Sequence, residues 1–174
     1  MKVITNSGPL IALGKLGLLD LPGQLYGQPL FLPSAVHAEV VLRGSENEHA
    51  DAHVIQLAIN RSYLRVISVG PRDLPPDLAA LSLDAGEKEV IFVAMRDKAD
   101  LVLFDDLKAR DTAKSYGLAV KGTLGIIVSA YRNGLLKLHD LEAIINSIII
   151  REDIWIARGL CRDVLAKILR ESRG

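Results

Sequence analysis

The sequence predicts an α/β domain with a central, mainly parallel sheet, and two observations carry that expectation. Short β-branched or aliphatic runs alternate with stretches of helical spacing, the pattern of strand-helix units joined by right-handed crossovers. The 174 residues are 49% apolar and 24% charged, a globular composition at a length that suits one domain with its own core.

Taken in order, residues 2–5 form a β-branched run that stops at Asn6-Ser7-Gly8-Pro9, where Asn or Ser caps a helix and Pro suits its first turn. Leu10, Ile11, Leu13, Leu16, Leu18 and Leu19 then recur at helical spacing, ending near Asp20-Leu21-Pro22-Gly23. Residues 29–32 read as a second strand, and Pro33-Ser34 opens a helix to about Leu42, closed by Arg43-Gly44. Residues 45–49 read as a polar loop, 50–60 as a helix, and 64–69 as a third strand rich in β-branched residues. Pro71, Pro75 and Pro76 mark the longest irregular linker. Asp84 begins a helix to about Lys98, 101–104 is a fourth strand, 107–116 a helix, 118–121 a fifth strand and 123–133 a helix stopped by Gly134. Residues 138–174 contain Ile144-Ile145 and Ile148-Ile149-Ile150, then an amphipathic stretch with Val164, Leu165, Ile168 and Leu169 on one side. They read as a helical extension of the domain spanning 1–137.

Composition narrows the function classes. Cys161 is the only cysteine, which excludes an intrachain disulfide and a multi-cysteine zinc site and suits a reducing cytosol. The first residues are interrupted too soon by Asn6, Gly8 and Pro9 to form a secretory core, and no stretch reads as a membrane helix, so the expectation is a cytoplasmic protein. Lys and Arg number 21 and Asp and Glu 21, giving zero net charge, so any nucleic-acid site is a local patch.

Several familiar chemistries fail on their motifs. Gly14 and Gly17 lie inside a leucine-rich helix, and no GxxxxGK[ST] loop occurs. His37-Ala38-Glu39 lacks the paired cysteines of a zinc deaminase. His49 and His53, one turn apart near Glu46, Glu48 and Asp51, read as solvated residues of a surface helix in preference to a metal pair. No GxSxG elbow is present.

What remains is a set of oxygen-bearing side chains placed where open parallel sheets bind ligands, beyond the carboxyl ends of the strands. Asn6 ends the first strand, Asp105 and Asp106 follow the fourth, Glu87 lies one turn into the helix leading to it, and Glu39 sits at the edge of an apolar face. Oxygen-bearing groups from four segments suit Mg²⁺ or Mn²⁺, which prefer oxygen and leave room for water and phosphate. Each also has a structural alternative. Asn6 or Ser7 caps the first helix, Glu39 pairs with Arg43, Asp84 and Glu87 form a capping box, and Asp105 or Asp106 caps the helix that follows.

The stretches Val3-Ile4-Thr5-Asn6-Ser7-Gly8-Pro9-Leu10-Ile11-Ala12-Leu13, Pro33 to Val40 with Glu39, Leu83-Asp84-Ala85-Gly86-Glu87, Leu101-Val102-Leu103-Phe104-Asp105-Asp106 and Gly122-Thr123-Leu124-Gly125 together resemble, in order, the PIN-domain proteins. More narrowly, they resemble the prokaryotic branch similar to VapC toxins, whose members begin with an SNTSPLIAL-like stretch. The resemblance implies a three-layer sandwich and a metal-dependent ribonuclease with an acidic quartet on Asn6, Glu39, Glu87 and Asp105. Glu39, Glu87 and Asp105 would be the catalytic carboxylates, with Mg²⁺ or Mn²⁺ as cofactor. Ser7, Asp106 and Thr123 would touch a ligand carboxylate or the substrate. The sequence departs from the family pattern at Asn6, where most members carry Asp; the amide keeps a carbonyl ligand and removes one negative charge. The implied partners are RNA, a small antitoxin chain and a second copy of the protein. The rival expectation is a catalytically weak PIN-fold module that binds nucleic acid or protein.

Overall fold

The computed structural model describes residues 1–43 and 50–172, and the chain forms two compact units, Met1–Thr123 and Leu124–Gly174. The expected loop over 45–49, with His49, lies outside the described residues.

In the first unit, β1 (Val3–Thr5), β2 (Leu30–Pro33), β3 (Leu64–Ile67), β4 (Leu101–Leu103) and β5 (Val120–Lys121) form one sheet of order β3-β2-β1-β4-β5. Every pairing in this sheet is parallel, with Ile4 opposite both Phe31 and Val102. The sheet is therefore wholly parallel where a mainly parallel one was expected. Val3, Ile4, Val102 and Leu103 are buried without residual exposure, the continuous apolar character of strands covered on both faces. The chain builds outward from β1 through β2 to β3, then returns to lay β4 on the other side of β1. The reversal leaves a switch point between the carboxyl ends of β1 and β4.

The helices of this unit are α1 (Ser7–Lys15), α2 (Leu21–Tyr26), α3 (Ser34–His37), α4 (Ala50–Asn60), α5 (Pro76–Ala79), α6 (Ala85–Arg96) and α7 (Leu107–Ser115); α8 (Thr123–Arg132) starts at its last residue. Three details depart from the expectation. Pro22 and Gly23 stand inside α2, where Pro occupies the first turn and its missing N–H costs nothing. Pro76 likewise opens α5 within what reads as an irregular linker. The helix from Ser34 does not continue regularly: α3 passes into a π-helical turn over Ala38–Arg43, a widened form found often at functional sites. Ile4, Leu10, Leu13, Leu32, Ile55 and Leu64 fill the core, each contributing about 1.5–3 kcal/mol by burial.

The second unit holds the rest of α8, then α9 (Leu138–Ile150) and α10 (Arg158–Glu171), which pack on each other. Asp140 opens α9 by accepting from the Lys137 N–H at 2.9 Å. Ile145, Ile148, Ile154 and Ile168 are buried, whereas Ile150 and Trp155 are 77% and 91% exposed. Cys161 is buried, and burial pushes its thiol above the usual range. Among the described residues no helix is long and apolar enough to cross a membrane.

Candidate active site

Asn6 stands directly beyond β1. Its N–H donates to Leu103 O at 3.0 Å, so it continues the ladder between β1 and β4. Its extended backbone (φ −87°, ψ 173°) is that of an N-cap for α1, yet its side chain makes no capping bond. The capping role open to it in the sequence is therefore not the one it takes. Asn6 is only 6% exposed, and its Oδ1 is buried with no hydrogen-bond partner among the described residues. An orphaned buried acceptor costs about 1–3 kcal/mol, so this atom is an anomaly in a well-packed region. Ser7, also buried, follows as the first residue of α1.

Glu87 approaches from the first turn of α6. Asp84 caps that helix: its Oδ1 accepts from Glu87 N at 2.7 Å, and Glu87 Oε2 accepts from Asp84 N at 3.0 Å. The expected capping box is formed. Gly86, between the two, is pressed against Asn6; a Cβ there would stand 3.1 Å from Asn6 Oδ1 and 3.2 Å from Val36 Cγ2. Glu87 is 8% exposed. Burial raises its pKa above the ordinary carboxylate value, the Asp84 N–H opposes this, and the charges of Asp84, Asp106 and Glu39 raise it further.

Glu39 is carried half-buried on the π-helical turn that follows α3. The position of that segment is set by Glu89, a residue sequence reasoning missed. Its Oε2 accepts from Ala35 N at 2.8 Å and from Ser34 Oγ at 3.2 Å, capping α3 from the side of α6. No local motif signals it, because both donors lie on a distant segment. The alternative pairing of Glu39 with Arg43 falls on a side chain outside the described residues.

Asp105 and Asp106, adjacent in sequence, take separate positions. Asp106 caps α7, accepting from Ala109 N at 2.8 Å, and its charge is one of those felt by Glu87. Asp105 instead faces the start of α8. Its Oδ1 accepts from Thr123 N at 2.7 Å and its Oδ2 from Thr123 Oγ1 at 2.6 Å. Burial raises its pKa, the two Thr123 bonds oppose the rise, and the Arg110 guanidinium opposes it more weakly. Gly122 permits this closure, since a Cβ there would lie 2.8 Å from Asp105 Oδ1 and 3.1 Å from Phe104 O.

Asn6, Glu39, Glu87 and Asp106 are thus linked at the switch point by contact or by charge, while both oxygens of Asp105 are engaged by Thr123. Among the described residues no three His, Cys, Asp or Glu side chains lie close enough together to hold a metal ion. His53 is exposed on α4. The donor set is oxygen throughout: the charges of Asp84, Asp106 and Glu39 reach Glu87, and the orphaned Asn6 carbonyl lies against neighbouring Gly86. That chemistry fits a hard divalent cation better than a transition metal that prefers nitrogen or sulfur.

A parallel α/β sheet with acidic side chains and a buried, unpartnered carbonyl oxygen at its switch point defines the class of protein. Within that class the chain belongs to the PIN-domain family: residues 2–170 match the family DUF3368, described as a PIN domain, a nuclease-type fold. No curated protein matches the chain. Among solved structures it is similar to "a domain of a functionally unknown protein" from Methanocaldococcus jannaschii DSM 2661, with a TM-score of 0.46 and 16% identity, covering 70% of this chain and 91% of that one.

Proposed function

We propose that the protein is a divalent-metal-dependent ribonuclease that hydrolyses phosphodiesters, and that it is the toxin of a cytoplasmic, VapC-like toxin-antitoxin pair. The observation that carries this reading is Asn6 Oδ1, a buried carbonyl oxygen that neither caps α1 nor meets any donor, set against Gly86 beside Glu87. A buried acceptor without a donor is satisfied by a cation, and burial together with the charges of Asp84, Asp106 and Glu39 raises the proton affinity of Glu87 beside it.

Asn6, Glu39, Glu87 and Asp105 would hold Mg²⁺ or Mn²⁺, with Asp106 adding negative charge at the rim. The ion, when bound, acidifies a water and stabilises charge on the phosphate. The chain's own residues supply position. The Asp84 box fixes Glu87, the Glu89 cap fixes the segment carrying Glu39, and Thr123 orients Asp105. Ser7 would touch a ligand carboxylate or the substrate phosphate, while Thr123 already holds Asp105. Ile150 and Trp155 offer apolar surface for a small antitoxin chain or a second copy.

One observation favours the rival reading of a catalytically weak PIN-fold module: the described carboxylates are spaced too widely to hold a metal as they stand. Calorimetric titration with Mn²⁺ alongside cleavage of single-stranded RNA separates the two. The nuclease reading expects Mn²⁺ binding that Asp105→Asn and Glu87→Gln weaken, with cleavage falling in step. Absence of Mn²⁺ binding in the wild type overturns it in favour of the binding module.

A further inference from the structure

We propose that Arg110 is a phosphate-binding residue of the crevice, seating the backbone of single-stranded RNA next to the acidic cluster; this rests on the ribonuclease reading. Arg110 lies on α7, one turn after Asp106, with its backbone N–H donating to Asp106 O at 3.1 Å. The residue is half-buried, and its Nε–H is wholly buried without an acceptor among the described residues. An arginine offers five donors in a fixed fork. A desolvated guanidinium N–H left unmatched is costly, and an anionic ligand is the partner that would offset it.

Placement sets the ligand class. Nη1 would stand 3.4 Å from a Cβ on Gly122, so the guanidinium lies across the turn between β5 and α8, at the carboxyl end of the sheet. The nearest acid does not consume it. Both oxygens of Asp105 accept from Thr123, and no ion pair joins Asp105 to Arg110 within 4 Å among the described residues. A structural counter-ion would be paired; this one is held beside the acid with its fork open. A planar fork matches two oxygens of a phosphate. The protein has zero net charge, so its hold on RNA depends on locally positioned cations such as this one.

The test is fluorescence anisotropy with a labelled single-stranded RNA oligonucleotide, in EDTA, across 50–200 mM KCl, so that neither metal nor cleavage is needed. Arg110→Met should raise Kd by about tenfold and make the slope of log K against log salt shallower by about 0.7, the share of one phosphate on a single strand. Arg110→Lys, which keeps the charge and serves if the methionine variant does not fold, should weaken binding by about threefold at an unchanged slope. If wild-type protein binds RNA and Arg110→Met matches it in Kd and slope, or Arg110→Lys matches it in Kd, the assignment is overturned alone. If wild-type protein binds no RNA in EDTA, the assignment of Arg110 as a metal-independent phosphate seat is overturned, while Mn²⁺ binding and cleavage decide the ribonuclease reading separately.

Discussion

Helix α6 carries a carboxylate at each end, and the two behave opposite to what the helix itself dictates. Glu87 stands in the first turn, where the helix dipole favours negative charge, and Asp97 stands at the C-cap, where it does not. Yet burial and like charges push Glu87 above the usual carboxylate range, while Asp97 is lowered to about 2 by Arg96 and Lys2, whose cations bond it at 2.7 Å each. Local partners outweigh the dipole. One end is neutralised within the chain and serves stability; the other gathers acids and an orphaned carbonyl, the groups to which the proposed cation would bind.

Removing that difference should have its largest effect at Glu87. Glu87→Gln keeps an oxygen for the Asp84 N–H but loses the charge, and RNA cleavage with Mn²⁺ is expected to fall at least about a hundredfold, ~3 kcal/mol, with little change in Tm. A lowered Tm with unchanged cleavage would make Glu87 a cap only. The same variant sharpens the pH contrast. A raised folded-state pKa favours folding below the ordinary carboxylate range and loses that advantage as pH rises through the folded value, so Glu87→Gln should flatten the decline in stability over that window.

Asp105 comes next. Asp105→Ala strands two Thr123 donors and should cost about 3 kcal/mol in urea denaturation, whereas Asp105→Asn, able to accept from Thr123 N and donate to Oγ1, should cost about 1 kcal/mol or less. Equal losses would show that charge, not hydrogen bonding, holds this corner.

At the cation end, Asn6→Asp should tighten Mn²⁺ binding by about 1–2 kcal/mol in calorimetry, the scale of one added charge contact in a partly solvated site. Unchanged affinity would remove Asn6 from the ligand set.

The smallest effect lies at the neutralised end. Asp97→Asn should cost about 1 kcal/mol at pH 7, given solvent screening of its two ion pairs. Because the folded pKa is depressed, the cost is present above the ordinary value near 4 and disappears as pH falls through about 2. Denaturation curves of both forms across that interval check the sign.

The contrast was half legible in the residues. Asp84 and Glu87 show their capping box because a box is a local pattern, and the strand runs show their order of appearance because burial on both faces leaves them uniformly apolar. The adjacency of the first and fourth strands is also expected from the sequence, because the candidate site residues follow their carboxyl ends, and β1 does pair with β4. That Thr123 touches the carboxylate of Asp105 is anticipated through the family resemblance, since no local pattern joins the two. Asn6 is the instructive case. Its residue type suits a cap, and only the packing of Gly86 shows that its side chain is withheld from that role. The π-helical turn at Glu39 was equally hidden, since its composition is that of an ordinary helix.

Gly86 has a consequence for how this sequence can drift. A methyl group at position 86 would share the volume now held by Asn6 Oδ1 and Val36 Cγ2, so positions 6, 36 and 86 form one unit of inheritance. A side chain at 86 requires Asn6 or Val36 to give way by a few tenths of an ångström, so a change at 86 is felt first at the unpartnered oxygen of position 6. Descendants with both positions changed would keep the sheet and surrender the crevice.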